Sequence, residues 1–136
     1  MMANILYMEL KHQGEIRTIM IVEDEGDILD VYSDFLRRKG YTIEASAPTA
    51  NEILHDYEAY RPDLVIIDYR LPGSMNGLEA SEKILRHYPS ARILIMTAFD
   101  KIKKEIEKNS FFNDKKVLVL IKPIRLEYLA RFISTL

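Results

Sequence analysis

The sequence predicts an α/β fold built on a parallel sheet. Five short apolar runs recur along the chain, amphipathic segments lie between them, and several of the runs are continuous rather than alternating. Continuous runs suit strands that are covered on both faces, whereas a strand with one wet face alternates. Strands separated by helices feed a parallel sheet through right-handed crossovers.

The first run is Thr18-Ile19-Met20-Ile21-Val22. No period continues through His12-Gln13-Gly14-Glu15 before it, so residues 1–16 read as an N-terminal extension and 17–136 as the domain. The extension reads as a tail, although Ile5, Leu6, Tyr7 and Met8 offer an apolar surface for packing on the domain or on a neighbour. Segment 27–38 repeats Ile28, Val31, Tyr32, Phe35 and Leu36 on one helical face, and Gly40 stops it. Tyr41-Thr42-Ile43 is the second strand, and Pro48 suits the first turn of the second helix, where a missing N–H is tolerated. Leu64-Val65-Ile66-Ile67 is the third strand. Leu78, Ile84 and Leu85 mark the third helix, which Pro89 ends. Arg92-Ile93-Leu94-Ile95-Met96 is the fourth strand, and residues 100–110 form a charged, weakly patterned fourth helix. Val117-Leu118-Val119-Leu120-Ile121 is the fifth strand. Pro123 opens the last helix, whose buried face is Leu126, Leu129, Ala130, Phe132 and Ile133.

The 136 residues suit one domain, and a chain of this size buries roughly two-thirds of its unfolded surface. With 48% apolar and 29% charged residues it is expected to fold rather than remain disordered. The absence of cysteine excludes disulfides, thiolate metal sites and cysteine nucleophiles. Nineteen basic residues against 21 acidic ones give a net charge of −2, which disfavours a broad nucleic-acid surface. No apolar run approaches the ~20 residues that span a bilayer, and the start lacks the features of a signal peptide. The expectation is a cytoplasmic protein without membrane or direct nucleic-acid binding. His12, His55 and His87 lack metal-ligand spacing and read as surface residues.

In open α/β sheets, ligands bind beyond the carboxyl ends of the strands. Here the first strand ends in Glu23-Asp24-Glu25, the third in Asp68, the fourth in Thr97 and the fifth in Lys122. Acids, a hydroxyl and an ammonium at one edge point to phosphoryl transfer onto a carboxylate. Carboxylates are the oxygen ligands Mg²⁺ prefers, and a carboxylate can itself be the nucleophile. The metal offsets repulsion between that nucleophile and the phosphoryl anion. The ammonium and hydroxyl bind the oxygens that the metal leaves free. Singly, these residues have ordinary readings: Glu23 and Asp24 as helix-capping acids, Asp68 as a turn acid, Thr97 as a β-branched strand residue, and Lys122-Pro123 as a strand end before a helix.

The chain resembles the receiver domain of two-component response regulators, of the stand-alone, chemotaxis-regulator type. The resemblance rests on Ile-Val-Glu-Asp-Glu at 21–25, Asp-Leu-Val-Ile-Ile-Asp at 63–68, Leu-Pro-Gly at 71–73, Asn-Gly at 76–77, Met-Thr-Ala at 96–98 and Lys-Pro at 122–123. It implies a flavodoxin-like doubly wound sheet of five parallel strands in the order 2-1-3-4-5, with five helices. It implies Asp68 as phosphoacceptor, Asp24 as direct ligand of Mg²⁺, Glu23 as its water-mediated ligand, and Arg70 as donor of a backbone carbonyl to the metal. It further implies that Thr97 and Lys122 bind the phosphoryl group, and that the Lys122–Pro123 bond is cis. The implied donor is a phosphohistidine on a sensor histidine kinase or phosphotransfer protein. The implied output is a downstream protein target, or a homodimer, engaged through helix 4, strand 5 and helix 5.

The chain departs from that family at three places. The Pro72–Gly77 turn is one residue longer than usual. Val119 stands three positions before Lys122, where the family has an aromatic switch residue. Asn109-Ser110-Phe111-Phe112-Asn113-Asp114 replaces the usual Gly-Ala before the fifth strand, and Phe111 and Phe112 read as cover for the core edge. The resemblance implies that Arg70 and Phe99 sit beside the phosphoacceptor at positions that tune water access, with loop packing as the alternative for Phe99. These departures leave a second function open, a receiver-like interaction module that signals without phosphorylation. A phosphohydrolase is disfavoured, because Asp68-Tyr69-Arg70 supplies no second acid.

Overall fold

A computed structural model describes residues 15–46 and 49–136 of the chain. Residues 1–14, with His12 and Ile5–Met8, and the expected helix opener Pro48 lie outside the described residues. The strands are β1 (Thr18–Val22), β2 (Thr42–Ser46), β3 (Leu64–Asp68), β4 (Arg92–Thr97) and β5 (Lys116–Ile121). The helices are α1 (Gly26–Arg38), α2 (Ala50–Tyr60), α3 (Gly77–His87), α4 (Lys101–Lys108) and α5 (Leu126–Ser134), with a 3₁₀ turn at Ser110–Phe112. All neighbouring strands pair in parallel, in the order β2-β1-β3-β4-β5.

Right-handed crossovers decide which face each helix covers. The β1–β2 connection and the β2–β3 connection run in opposite directions across the sheet, so α1 and α2 fall on opposite faces. Alternation along the strands then splits the apolar residues into two layers. Met20, Val22, Val65, Ile67, Ile93 and Ile95 face Ile53 and Tyr57 of α2, Ile84 and Leu85 of α3, and Phe112. Ile19, Ile21, Leu64, Ile66, Leu94 and Met96 face Leu36 of α1 and Leu129 and Ile133 of α5. Ile16, expected in the extension, is buried in this second layer just before β1.

Three details correct the sequence reading. Val31 is 53% exposed. The buried stripe of α1 runs through Leu29, Tyr32, Ser33 and Leu36 instead, which turns Val31 outward. Pro123 does not open α5, which begins at Leu126 with Arg125 as its N-cap. The Lys122 N–H still donates to the Thr97 carbonyl at 2.7 Å, so strand pairing outlasts β5 and Pro123 falls in the connection. The Lys122–Pro123 bond is cis. Finally, β2 extends to Ser46, because its backbone pairs with β1 as far as Val22 even where its side chains are polar. His55 and His87 are exposed, while Phe112 is buried and Phe111 packs on the same layer.

Candidate functional site

Parallel register brings the strand ends together. Val22 lies opposite Ile67, Asp68 opposite Met96, and Thr97 opposite Ile121. The residues just beyond β1 and β5 therefore meet the last residues of β3 and β4 at one edge. Glu23, Asp24 and Asp68 each bring a carboxylate oxygen to within 4.8 Å of the others. The Lys122 ammonium donates to Asp68 Oδ2 at 3.3 Å. Both side chains are partly exposed, so the pair contributes at most about 1 kcal/mol to stability. Its importance is placement.

Glu23 is buried while Asp24 is exposed, so adjacent acids differ sharply. Burial first, and then the negative charge of Asp68, push the Glu23 carboxyl up to about 7, against the pull of the Glu25 N–H and of Lys122. The Glu25 N–H reaches Glu23 Oε1 at 3.3 Å. Glu25 is the N-cap of α1 but makes no side-chain cap, and neither Glu23 nor Asp24 occupies that cap position.

Thr97 is buried at the end of β4, and its hydroxyl oxygen accepts from the Phe99 N–H at 3.0 Å. The Arg70 N–H donates to Asp68 Oδ1 at 3.4 Å. The long turn after Asp68 is held by α3: the Gly77 N–H donates to the Tyr69 carbonyl at 2.7 Å. A Cβ at Gly77 would stand 2.9 Å from Tyr69 Cα and closer still to the Asp68 carbonyl oxygen, so only glycine permits this approach. Asn76 closes a capping box with Glu79, which fixes the start of α3. Gly73, at φ +95°, turns this loop in a conformation open to glycine.

These groups border an open cleft of about 460 Å³ whose walls include Asp24, Asp68, Thr97 and Lys122, with Arg70 and Phe99 at its side. The Arg70 guanidinium lies 4.6 Å above the Phe99 ring. Every sequence-predicted side chain reaches this cleft or its acidic cluster, and the Arg70 carbonyl belongs to the loop beside it. The resemblance puts Arg70 and Phe99 beside the same residue, but not their stacking: two loops after adjacent strands bring the guanidinium over the ring. A second groove, of about 640 Å³, opens on the far side of Lys122 between α1 and the start of α5, where Ile28, Val31, Tyr32, Ile124 and Leu126 line it. Exposed Val31 thus lines a surface rather than the core. The donor set suits a hard cation: three carboxylates converge, two of them accessible, with mutual repulsion visible at Glu23.

Residues 19–134 match the family described as Response regulator receiver domain. The chain is 28% identical to the chemotaxis protein CheY of Thermotoga maritima over 82 residues, 60% of this chain and 68% of that protein. It spans only 35 to 40% of the length of the transcriptional regulators it also matches. Among solved structures, a CheY-like receiver domain protein from Methanospirillum hungatei is 28% identical with a TM-score of 0.74, covering 89% of this chain and 93% of that one. The regulator TrrA of Thermotoga maritima, solved in complex with Mg(2+)-BeF, shares the fold at 24% identity and a TM-score of 0.73, covering 88% of this chain and 98% of that one. No helix among the described residues is long and apolar enough to cross a membrane. With the family match spanning nearly the whole chain and the strand order agreeing with it, this protein belongs to the response regulator receiver domain family, whose members are signalling domains rather than classical enzymes.

Proposed function

We propose that residues 17–136 work as a phosphoacceptor. A carboxylate oxygen of Asp68 attacks the phosphorus of a phosphohistidine carried by a sensor kinase or phosphotransfer protein. The P–N bond breaks, the imidazole leaves, and an aspartyl phosphate remains. The observation that carries this reading is the Asp68 carboxylate held 3.3 Å from the Lys122 ammonium, beside two further carboxylates, in an open cleft. Glu23, Asp24, Asp68 and the Arg70 carbonyl would hold Mg²⁺, which when bound offsets the repulsion between acceptor and phosphoryl anion. Lys122 binds a phosphoryl oxygen. Thr97 turns its hydroxyl from the Phe99 N–H toward another, and the new charge-assisted bonds shift the population of conformers.

The output surface is the α4–β5–α5 face, which would engage a downstream protein or a second copy of the chain. Val119 is half-buried against the layer under α2 and α3 and has no ring to turn, so the shift runs through the Thr97 and Lys122 backbone rather than through an aromatic rotamer. The apolar groove beside Lys122 suits the docking of the phosphodonor. The working location is the cytoplasm, without membrane or direct nucleic-acid contact.

One observation supports a module that signals by binding alone. Phe111 lies under both Arg86 and Lys115, at 4.7 and 5.0 Å, which ties the segment before β5 to α3. Intact mass after incubation with Mg²⁺ and a small acyl phosphate separates the two readings. A single phosphoryl adduct, lost in Asp68→Ala, is expected. A folded protein that takes neither a phosphoryl group nor the beryllofluoride mimic would overturn the phosphoacceptor reading.

A further inference from the structure

The amino-terminal edge of the sheet carries an apolar groove on the α1–α5 face. It measures about 380 Å³, and its apolar walls include Leu64, Leu118 and Leu136. Leu118 is 39% exposed although it lies within β5, on the face that α5 covers elsewhere. Lys116 borders the groove with positive charge beside Arg92 and Lys115, the last of these paired with Asp114 at 2.6 Å.

The chain outside the described residues begins beside this groove. Ile16 is buried in the same layer as Leu64, and Leu136 packs against that layer. The backbone N–H groups of Arg17 and Thr18 both donate to Asp63 Oδ2, at 2.9 and 3.0 Å, which anchors the exit point to the residue preceding Leu64. Eight of the first ten residues are apolar, and Glu9 is the single acid among the first fourteen.

We propose that the segment Ile5–Leu10 of this chain seats in the groove, with its apolar side chains on Leu64, Leu118 and Leu136 and with Glu9 toward the basic rim. Reach is sufficient: β5 lies three strands from β1, roughly 14 Å at the usual strand spacing, while the six residues from Leu10 to Ile16 span up to ~20 Å extended. Charge matches, since an acid flanked by apolar residues meets an apolar groove with exposed Lys116 on its rim. The seat adjoins β5 and α5, so an occupied groove would compete with any partner that needs the lower part of that face. This inference concerns the other end of the sheet and stands independently of the phosphorylation reading.

The chain has no cysteine, so an engineered pair is unambiguous. Leu6→Cys is combined with Leu118→Cys or Leu136→Cys, and as control with Thr42→Cys. Thr42 is exposed and lies one strand from the exit point, nearer than Leu118, so a tail without a seat would reach it at least as readily. Under mild oxidation in dilute solution, the groove pairs are expected to form an intrachain disulfide about tenfold faster than the control, as a raised local concentration dictates. Equal rates, no disulfide, or a disulfide between two chains would each overturn the proposal, the last by assigning the groove to a second copy. A second measurement does not depend on the cysteines. Leu118→Asn should lower the thermal midpoint of the full chain clearly more than that of a chain lacking residues 2–14. An equal loss in both also overturns the proposal.

Discussion

β3 and β5 are alike in composition, Leu-Val-Ile-Ile-Asp against Lys-Val-Leu-Val-Leu-Ile, and each delivers a charged group to the cleft. Their burial differs. The four apolar residues of β3 are buried, whereas β5 holds only Leu120 fully inside and leaves Leu118 and Ile121 exposed. β3 has neighbours on both edges and helices on both faces, while β5 pairs only with β4. The Asp68 carboxylate therefore stands on a stiff support and the Lys122 ammonium on a softer one, the end of the stability scale from which moving elements are drawn. On the proposed reading, the domain is rigid at Asp68 and yielding at Lys122, with its adjustable part on the β5 side of the sheet.

The largest test of this contrast is a matched pair of truncations. Ile67→Ala in β3 is expected to cost about 2–5 kcal/mol, while Val119→Ala in half-buried β5 costs about 1 kcal/mol. Both are read as shifts of the urea midpoint at constant slope. Equal costs would break the distinction between the strands. Next comes the metal. Mg²⁺ at a hundred times its dissociation constant should add about 2.7 kcal/mol of stability. Chelation should remove that gain, and Asp24→Asn should abolish most of it. Stabilisation untouched by Asp24→Asn would place the ion elsewhere.

Gly77→Ala drives a methyl group toward the Asp68–Tyr69 backbone and should cost about 1–3 kcal/mol. It should also slow phosphorylation of Asp68, since the support of the acceptor moves. A variant that loses neither would show the α3 approach to be slack. The smallest effect on stability is expected at Arg70→Ala, within about 1 kcal/mol for a partly exposed cation–π pair. If the stack on Phe99 restricts water at the cleft, the phosphoryl adduct of this variant decays severalfold faster, read by intact mass against time. An unchanged lifetime would reduce the stack to loop packing.

Much of this was legible before any coordinates. The alternation of apolar runs with amphipathic segments identified five strands and five helices, because solvent exclusion on two faces leaves that mark on sequence. The placement of Glu23, Asp24, Asp68, Thr97 and Lys122 just at the run ends brought the site into view. Errors arose where a residue can satisfy the same pattern in two ways. Val31 fits an apolar helical stripe yet faces outward, because the sheet selects Leu29, Tyr32 and Leu36. Pro123 fits the first turn of a helix yet lies in the connection, because the Lys122 pairing with Thr97 delays the helix to Leu126.

Fold class and the chemical character of the strand ends could be read along the chain, since hydrophobic period and charge type are local properties. Packing of distant segments sets the rest: Glu23 buried beside an exposed Asp24, β5 half-open, and Arg70 stacked on Phe99. Each of these depends on which segment lies across the gap. That is fixed by strand order and crossover hand, not by the residues beside it in the chain.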